Sequence, residues 1–247
     1  MKIIIHGIGG RMGAEVARLA LTGIRGAEVV CGVDPYGSFD GVKCCKSFDE
    51  VEGEADCIID FSHHSATKAL LDYAARTKTP VILATTGHTE DELEAIRIAA
   101  EKVAVFHAAN MSLGVALLIE LAKIAARTMP DAEIEIIEKH HDRKLDAPSG
   151  TALAIANAIK TVRDDAFFVY GRSGQAKRTK EEIGIHAIRL GNIVGEHEVI
   201  VGTDSQTVTL KHEAHTRALF AEGALAAAEF IIGKSAGLYS MPDMIKI

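Results

Sequence analysis

The chain predicts an α/β fold in which a doubly wound parallel sheet is joined to a second α+β domain with a mostly antiparallel sheet. Three observations lead there. Up to Asn110, short and nearly all-apolar runs alternate with helix-length segments. The first run passes into the first helix through a glycine-rich turn. Beyond Asn110, a long apolar helix gives way to segments in which apolar and polar residues alternate strictly. Strands alternating with helices build parallel sheets covered on both faces, whereas strict alternation marks strands with one exposed face.

The elements follow in order. "KIIIHG" reads as the first strand and "GRMGAEVARLALTG" as a helix ending at Gly23. "AEVVCGVD" is the second strand and stops at Asp34. "DCIIDFS" (56–62) is another strand, followed by a helix over 65–77. Strand "PVILATTG", helix "TEDELEAIRIAAEK" and strand "VAVFHAAN" complete the parallel part. "VALLIELAKIAARTM" is a long helix ended by Pro130, which has no N–H to continue it. "AEIEIIE" (132–138) alternates as a half-exposed strand does, and so do 183–190, 193–201 and 206–213. An Ala-rich helix over 217–232 is expected to pack back onto the first domain. The basic stretch "QAKRTKEE" (175–182) reads as a mobile, solvated loop. The expected domains are therefore 1–111 with 217–247, and 112–216.

Composition narrows the function. At 247 residues, 48% of them hydrophobic, the chain can bury a sizeable core. A formal net charge of −7 argues against nucleic acid or an anionic membrane as partner. A small anionic ligand is still allowed, because a local cationic pocket needs few residues. Cys31, Cys44, Cys45 and Cys57 show no C-x-x-C spacing and read as buried or semi-buried thiols, so no metal is expected and a reducing cytoplasm fits. The start "MKIIIHGIGG" is too short an apolar run for a signal peptide, and no run of about 18 apolar residues exists for a membrane span.

In "IIIHGIGGRMG", glycines stand at 7, 9, 10 and 13 between a strand and a helix. The spacing G-x-G-x-x-G is not met, since Met12 holds its third glycine position; Gly7, Gly10 and Gly13 recur every third residue instead. Such a turn lets backbone N–H groups approach a pyrophosphate on the positive end of a helix. The candidate dinucleotide contacts here are Gly7, Ile8, Gly9, Gly10, Arg11 and Met12. Asp34, at the end of the second strand, can accept hydrogen bonds from the adenosine ribose. Its charge favours NADH over NADPH, and "PYGSFD" after it brings no Arg or Lys to a 2′-phosphate, although Arg11 could reach one. Two later strand ends, "ATTG" (84–87) and "AANMS" (108–112), should open on the same crevice. The arrangement is Rossmann-type, and the cofactor expected is NADH, NADPH or both.

The segment "EKHHDRKLDAPSGTA" (138–152) is denser in chemistry than any other. His140 and His141 follow a strand, where adjacent side chains point oppositely, so the two should not share one job. Lys144 follows. "APSGT" then opens a helix whose apolar residues Leu153, Ala156 and Ile159 recur every third position, with Gly150 and Thr151 offering N–H groups at its start. Histidine, lysine and helix terminus together suit a small carboxylate with a proton donor beside it.

This segment closely resembles the E-x-H-H-x-x-K-x-D-A-P-S-G-T-A pattern of the dihydrodipicolinate reductase family, now called 4-hydroxy-tetrahydrodipicolinate reductase. The resemblance also covers the G-x-x-G-R-M-G turn (7–13), T-T-G (85–87), A-N-x-S (109–112), "EIGIHAIR" (182–189) and "IVGEH" (193–197). It departs at Ala84, where Gly is common, at Met111, where Phe is common, and at Leu190, where Gly often follows the Arg. The resemblance implies an enzyme of diaminopimelate and lysine biosynthesis that reduces a small dicarboxylate, and a homotetramer built through the second domain. It implies His140 as acid–base residue and Lys144 as second catalytic cation. His141, Gly150 and Thr151 would bind substrate carboxylates. Cofactor contacts would fall on 7–12, Asp34, Ala84, Thr85, Thr86, Ala108, Ala109, Asn110 and Met111.

Two other readings are distinguishable. An acylating semialdehyde dehydrogenase needs a nucleophilic cysteine in its catalytic region, and the chain has no Cys after residue 57. A dinucleotide sensor that lost its chemistry has no use for a proton donor beside an anion pocket.

Overall fold

The structure is a computed structural model describing residues 1–245. The expected continuation of the first domain through residues 246 and 247 lies outside the described residues. The chain forms two compact units, one from Met1–Ser112 together with the segment beginning at Ala218, the other from Leu113–Arg217.

The first unit holds β1 (Lys2–His6), α1 (Arg11–Leu21), β2 (Glu28–Val33), β3 (Cys44–Cys45), β4 (Cys57–Asp60), α2 (Thr67–Thr77), β5 (Val81–Leu83), α3 (Glu90–Ala100) and β6 (Ala104–His107). The strands pair in parallel, and β1 lies between β2 and β4. The chain leaves β1 in one direction towards β2 and β3, then returns to β4 on the other side. That reversal opens a crevice at the carboxyl ends of β1 and β4, where ligands of such sheets bind. Ile3, Ile4 and Ile5 are fully buried because both faces of the sheet are covered. α1 buries Gly13, Val16, Ala17 and Ala20, a stripe at helical spacing. α3 starts on a capping box formed by Thr89 and Glu92.

The second unit contains α4 (Leu113–Thr128), β7 (Glu133–His140), α5 (Gly150–Lys160), β8 (Phe167–Tyr170), β9 (Glu182–Arg189), β10 (Gly195–Thr203) and β11 (Gln206–Ala214). Its sheet runs β11-β10-β7-β9-β8. β10 pairs antiparallel with β11 over nine residue pairs and with β7 over seven. β9 pairs in parallel with β7 over seven and with β8 over four, so the sheet is mixed with antiparallel pairing in the majority. The parallel part arises because β7 is followed by α5, a crossover that brings β8 back in the same direction. Ile134, Ile136, Ile155, Ile159, Ile183, Ile185, Val199 and Val201 form the core beneath α4 and α5.

After β11 the chain returns to the first unit with α6 (Ala218–Ile231), which packs on α1, β4, β5 and β6. β12 (Gly237–Tyr239) then extends the parallel sheet beside β6, and α7 (Met241–Met244) follows. No helix among the described residues is long and apolar enough to cross a membrane.

Two details go beyond the sequence. The fully buried face of α5 is Ala152, Ile155, Ala156 and Ile159, while Leu153 is half-buried and packs against the same core. The i, i+3, i+4, i+7 pattern decides this face; a strict three-residue repeat drifts around a helix. The basic stretch 175–182 is a largely exposed loop up to Glu181, as expected, but Arg178 ties it down. Arg178 donates to Glu135 Oε1 at 3.1 Å and to the carbonyls of Ile134 at 3.0 Å and Glu182 at 2.7 Å. Glu135 additionally takes Arg172 at 2.7 Å and His186 at 2.7 Å, so one carboxylate pins the segment to the sheet.

Candidate active site

In the first unit the turn after β1 is shaped by close backbone approach. Gly7 has φ +79°, and a Cβ there would lie 2.8 Å from the Phe61 carbonyl oxygen. A Cβ on Gly13 would lie 2.1 Å from the Gly7 carbonyl oxygen, so only glycine lets α1 settle onto the turn. Gly10 is the N-cap of α1; it caps with no side chain, and the first turn holds no acid. The positive end of α1 is therefore left for an external anion, whereas α3 carries Glu90, Asp91 and Glu92 in its first turn. These features fit a dinucleotide pyrophosphate.

Beside this turn lies a cavity of about 510 Å³. Arg11, Met12, Ala84, Thr85, Thr86, Ala109 and Met111 line it, and Phe61, Ser62, His63 and His64 complete one wall. The last four come from the loop after β4 and carry no expectation from the sequence, although strand ends of a parallel sheet are where to look. His64 Nδ1 lies 2.9 and 3.0 Å from the two Glu92 oxygens, and its ring lies 4.2 Å from that of His63, tilted by 37°. Behind the loop, fully buried Asp60 accepts from Ser62 Oγ at 2.6 Å and has His6 Nδ1 at 2.8 Å. Burial works against its ionised form, but His6, Ser62 and Thr85 outweigh that and lower its pKa.

The remaining predicted residues of this unit are placed differently. Ile8 is buried, and its side chain fills the space over Gly32, so only its backbone faces the turn. Gly10 N–H donates to the Gly7 carbonyl at 3.0 Å and Ala108 N–H to that of Leu83 at 3.2 Å. Asn110 Oδ1 accepts from Ser112 N–H at 2.9 Å. Asp34 holds the turn itself: its carboxylate accepts from Gly9 at 3.1 Å, Tyr36 at 2.9 Å and Gly37 at 2.8 Å. Next to Pro35 a further cavity of about 550 Å³ is lined by Lys46 and Arg76. Asp49 and Asp72 line the same cavity, so both signs of charge stand beside Pro35.

In the second unit, β7 places Glu138 and His140 on the same face, two residues apart. His140 Nδ1 lies 2.6 Å from Glu138 Oε2. Arg189 reaches the same carboxylate with Nη1 on Oε2 and Nη2 on Oε1, each at 2.8 Å, and Ser149 N–H donates to Oε1 at 2.9 Å. Burial of Glu138 pushes its pKa up. The donors from His140, Arg189 and Ser149 win, leaving it lowered to about 2. His197, on β10, packs its ring 5.2 Å from that of His140 and pairs Nε2 with Ser149 Oγ at 3.0 Å. Burial first, and then His140, lower its pKa to about 4, so it is neutral at physiological pH. His140 Nε2 is the nitrogen turned towards Gly195, where a Cβ would meet it at 3.1 Å.

The loop after β7 carries the other candidates. His141 N–H donates to the Ile193 carbonyl at 2.8 Å, and its ring feels Arg143, Arg217, His140 and Lys144. Desolvation first, then those cations, lower its pKa. Lys144 Nζ pairs with Asp146 Oδ1 at 2.8 Å. Ser149 Oγ caps α5 by accepting from Ala152 N–H at 3.2 Å. Lys144, just ahead of the α5 start, is thus already paired with a carboxylate of the chain. His140, His141, Lys144 and the α5 start nevertheless converge. Glu138, Arg189, Ser149 and His197 join them without a role foreseen from sequence; only the E-x-H spacing signals the first of these.

Comparison with known proteins agrees with this geometry. Residues 1–111 match the family described as dihydrodipicolinate reductase, N-terminus, and residues 114–245 its C-terminus. The 4-hydroxy-tetrahydrodipicolinate reductase of Caldanaerobacter subterraneus subsp. tengcongensis is 46% identical over 248 residues, covering 100% of this chain and 98% of the relative. That of Clostridium novyi is 43% identical, covering 99% and 98%. A dipicolinate-bound dihydrodipicolinate reductase from Paenisporosarcina sp. TG-14 shares the fold with TM-score 0.84 at 24% identity, covering 99% of each chain. The chain belongs to the dihydrodipicolinate reductase family.

Proposed function

We propose that this chain uses NADH or NADPH to reduce 4-hydroxy-tetrahydrodipicolinate to tetrahydrodipicolinate, a step of diaminopimelate and lysine biosynthesis. One observation carries the reading: segment 138–152 gathers a carboxylate-anchored histidine, two further basic side chains and a helix start around one place. A small dicarboxylate needs such a set of cations and N–H donors, and the related Paenisporosarcina structure is described as dipicolinate bound.

In this reading the first unit binds the dinucleotide through the turn at 7–12, Asp34, Ala84–Thr86 and Ala108–Met111. The second unit binds the substrate and makes the homotetramer, in the cytoplasm. Loss of the substrate's 4-hydroxyl as water gives a conjugated dihydropyridine ring, to which the dinucleotide, when bound, would supply a hydride at the carbon that carried the hydroxyl. His140 then delivers a proton to the neighbouring ring carbon, and Lys144 stabilises the electron density that builds up between the two events. His141, Gly150 and Thr151 hold the carboxylates. The test is oxidation of NADH and NADPH with substrate freshly made by the upstream synthase reaction. Absence of oxidation with both cofactors would overturn the reading.

A further inference from the structure

We infer that Glu138 and Arg189 form a charge-compensated clamp on His140. In it, Glu138 makes Nε2 the nitrogen that gives up the proton, and Arg189 keeps Glu138 from locking the ring as a cation. The catalytic part of this inference rests on the function proposed above; the clamp itself rests on geometry.

Glu138 is fully buried, and each of its oxygens takes two donors: Oε1 from Ser149 N–H and Arg189 Nη2, Oε2 from His140 Nδ1 and Arg189 Nη1. A carboxylate so loaded stays ionised and does not take the proton from the ring. It therefore holds Nδ1 in the N–H form in either charge state of His140. When the imidazolium gives up a proton, the bond broken is Nε2–H, its electron pair stays on Nε2, and the proton goes to the substrate carbanion. The neutral ring left behind keeps Nδ1–H on Glu138.

A lone buried carboxylate at 2.6 Å would hold the imidazolium too tightly to release that proton. Arg189 offsets it. Its guanidinium is fixed further by donating to the carbonyls of Ile188 at 2.8 Å and Asp146 at 2.6 Å. The other groups around the ring are neutral His197 from β10, itself near Lys144 and His212, and His141 next in sequence. A second negative charge, Asp146, acts on Arg189 and pairs with Lys144 at 2.8 Å. With Asp146 matched by Lys144, the balance at the ring falls to the Glu138–Arg189 pair.

Opposite charge changes should therefore move the pH profile in opposite directions. Activity of a proton donor falls as pH rises through its pKa. Arg189→Met should shift that alkaline limb of kcat upward by roughly one to two pH units, because Glu138 is then uncompensated. Glu138→Gln should shift it downward and cut kcat about 10²-fold or more with a smaller change in KM, since the amide can turn its NH₂ to Nδ1 and select the wrong tautomer. Arg189→Lys keeps the charge and should leave the limb near its parental position. Shifts in the same direction, or none, would overturn the clamp. Nitrogen-detected NMR of the free protein reads the same quantities without substrate, with the His140 signals assigned by their loss in His140→Gln. A neutral ring carrying its proton on Nδ1, titrating in the order Glu138→Gln, parent, Arg189→Met, supports the clamp even where no reductase activity is found. A neutral ring with its proton on Nε2 in the parent protein overturns it, whatever the variants do.

Discussion

Replacing Asp34 by Asn tests whether this residue selects the cofactor or holds the turn that receives it. From sequence, Asp34 is a ribose acceptor that repels a 2′-phosphate. In the structure its carboxylate also accepts three backbone N–H groups, from Gly9, Tyr36 and Gly37. The amide oxygen of Asn can keep Tyr36 and Gly37, but its NH₂ then faces the Gly9 N–H, donor against donor. One charge-assisted hydrogen bond is lost, worth about 1.5–3 kcal/mol when dry and nearer 1 kcal/mol at this half-buried position. Both cofactors should bind about fivefold to tenfold more weakly for that reason. NADPH recovers most of its loss, because a repelling charge has gone. The NADH preference, expected to be a few-fold to about tenfold in the parent, should therefore vanish in Asp34→Asn. Steady-state kcat/KM for each cofactor, followed by loss of reduced-nicotinamide absorbance, measures it. An unchanged ratio, or a parent that clearly prefers NADPH, would refute the assignment of specificity to Asp34.

The other expectations concern the second unit. His140→Gln should retain much of the substrate binding yet lower turnover about 10²-fold or more, the scale of losing a general acid; turnover within a few-fold of the parent would remove His140 from that role. Lys144→Ala should weaken both substrate binding and rate, and it leaves Asp146 uncompensated at the start of α5. Dinucleotide affinity by calorimetry should stay unchanged, and a parallel loss would count against separate cofactor and substrate units. Glu138, lowered to about 2 in the folded chain against about 4.5 unfolded, contributes stability that is present above pH ~4.5 and lost as pH falls towards ~2. Denaturant unfolding across that window should show up to about 3 kcal/mol of pH dependence that Glu138→Gln lacks. Arg178→Ala should speed tryptic cleavage after Lys177 or Lys180 severalfold, and equal cleavage rates would return 175–182 to the solvated-loop reading.

Sequence patterning reached the parallel sheet because each strand is an apolar run bounded by turn residues, and burial on both faces leaves little else possible. It missed β3 and β12, which have two and three residues and so carry no period. The anchoring of Arg178 was out of reach for a different reason. Its carboxylate partner Glu135 lies 43 residues earlier, and no local window separates a charge run that is paired from one that is solvated. His140 was legible from its motif, and Glu138 from the two-residue spacing that puts both on one face of β7. Arg189 was not, since it arrives from β9, 51 residues away from the carboxylate it binds. The residues proposed to do the chemistry are marked by type in the sequence, whereas the partners that hold them depend on strand pairing.

The two helix starts at the candidate sites show how the chain treats anions in two ways. α1 begins on glycine, with no side-chain cap and no acid in its first turn, while just ahead of it Asp34 accepts from the Gly9 N–H at 3.1 Å. A pyrophosphate at the helix end therefore has no first-turn carboxylate to displace. α5 begins on Ser149, which caps it, and Asp146 pairs with Lys144 just ahead of it. A carboxylate arriving at Lys144 must exchange with one already in place. The pair keeps Lys144 neutralised while no substrate is bound, which spares the fold an uncompensated positive charge. It also favours a ligand with two carboxylates over one with a single charge, because displacing Asp146 has a cost that a lone anion meets with one set of contacts and a dicarboxylate with two.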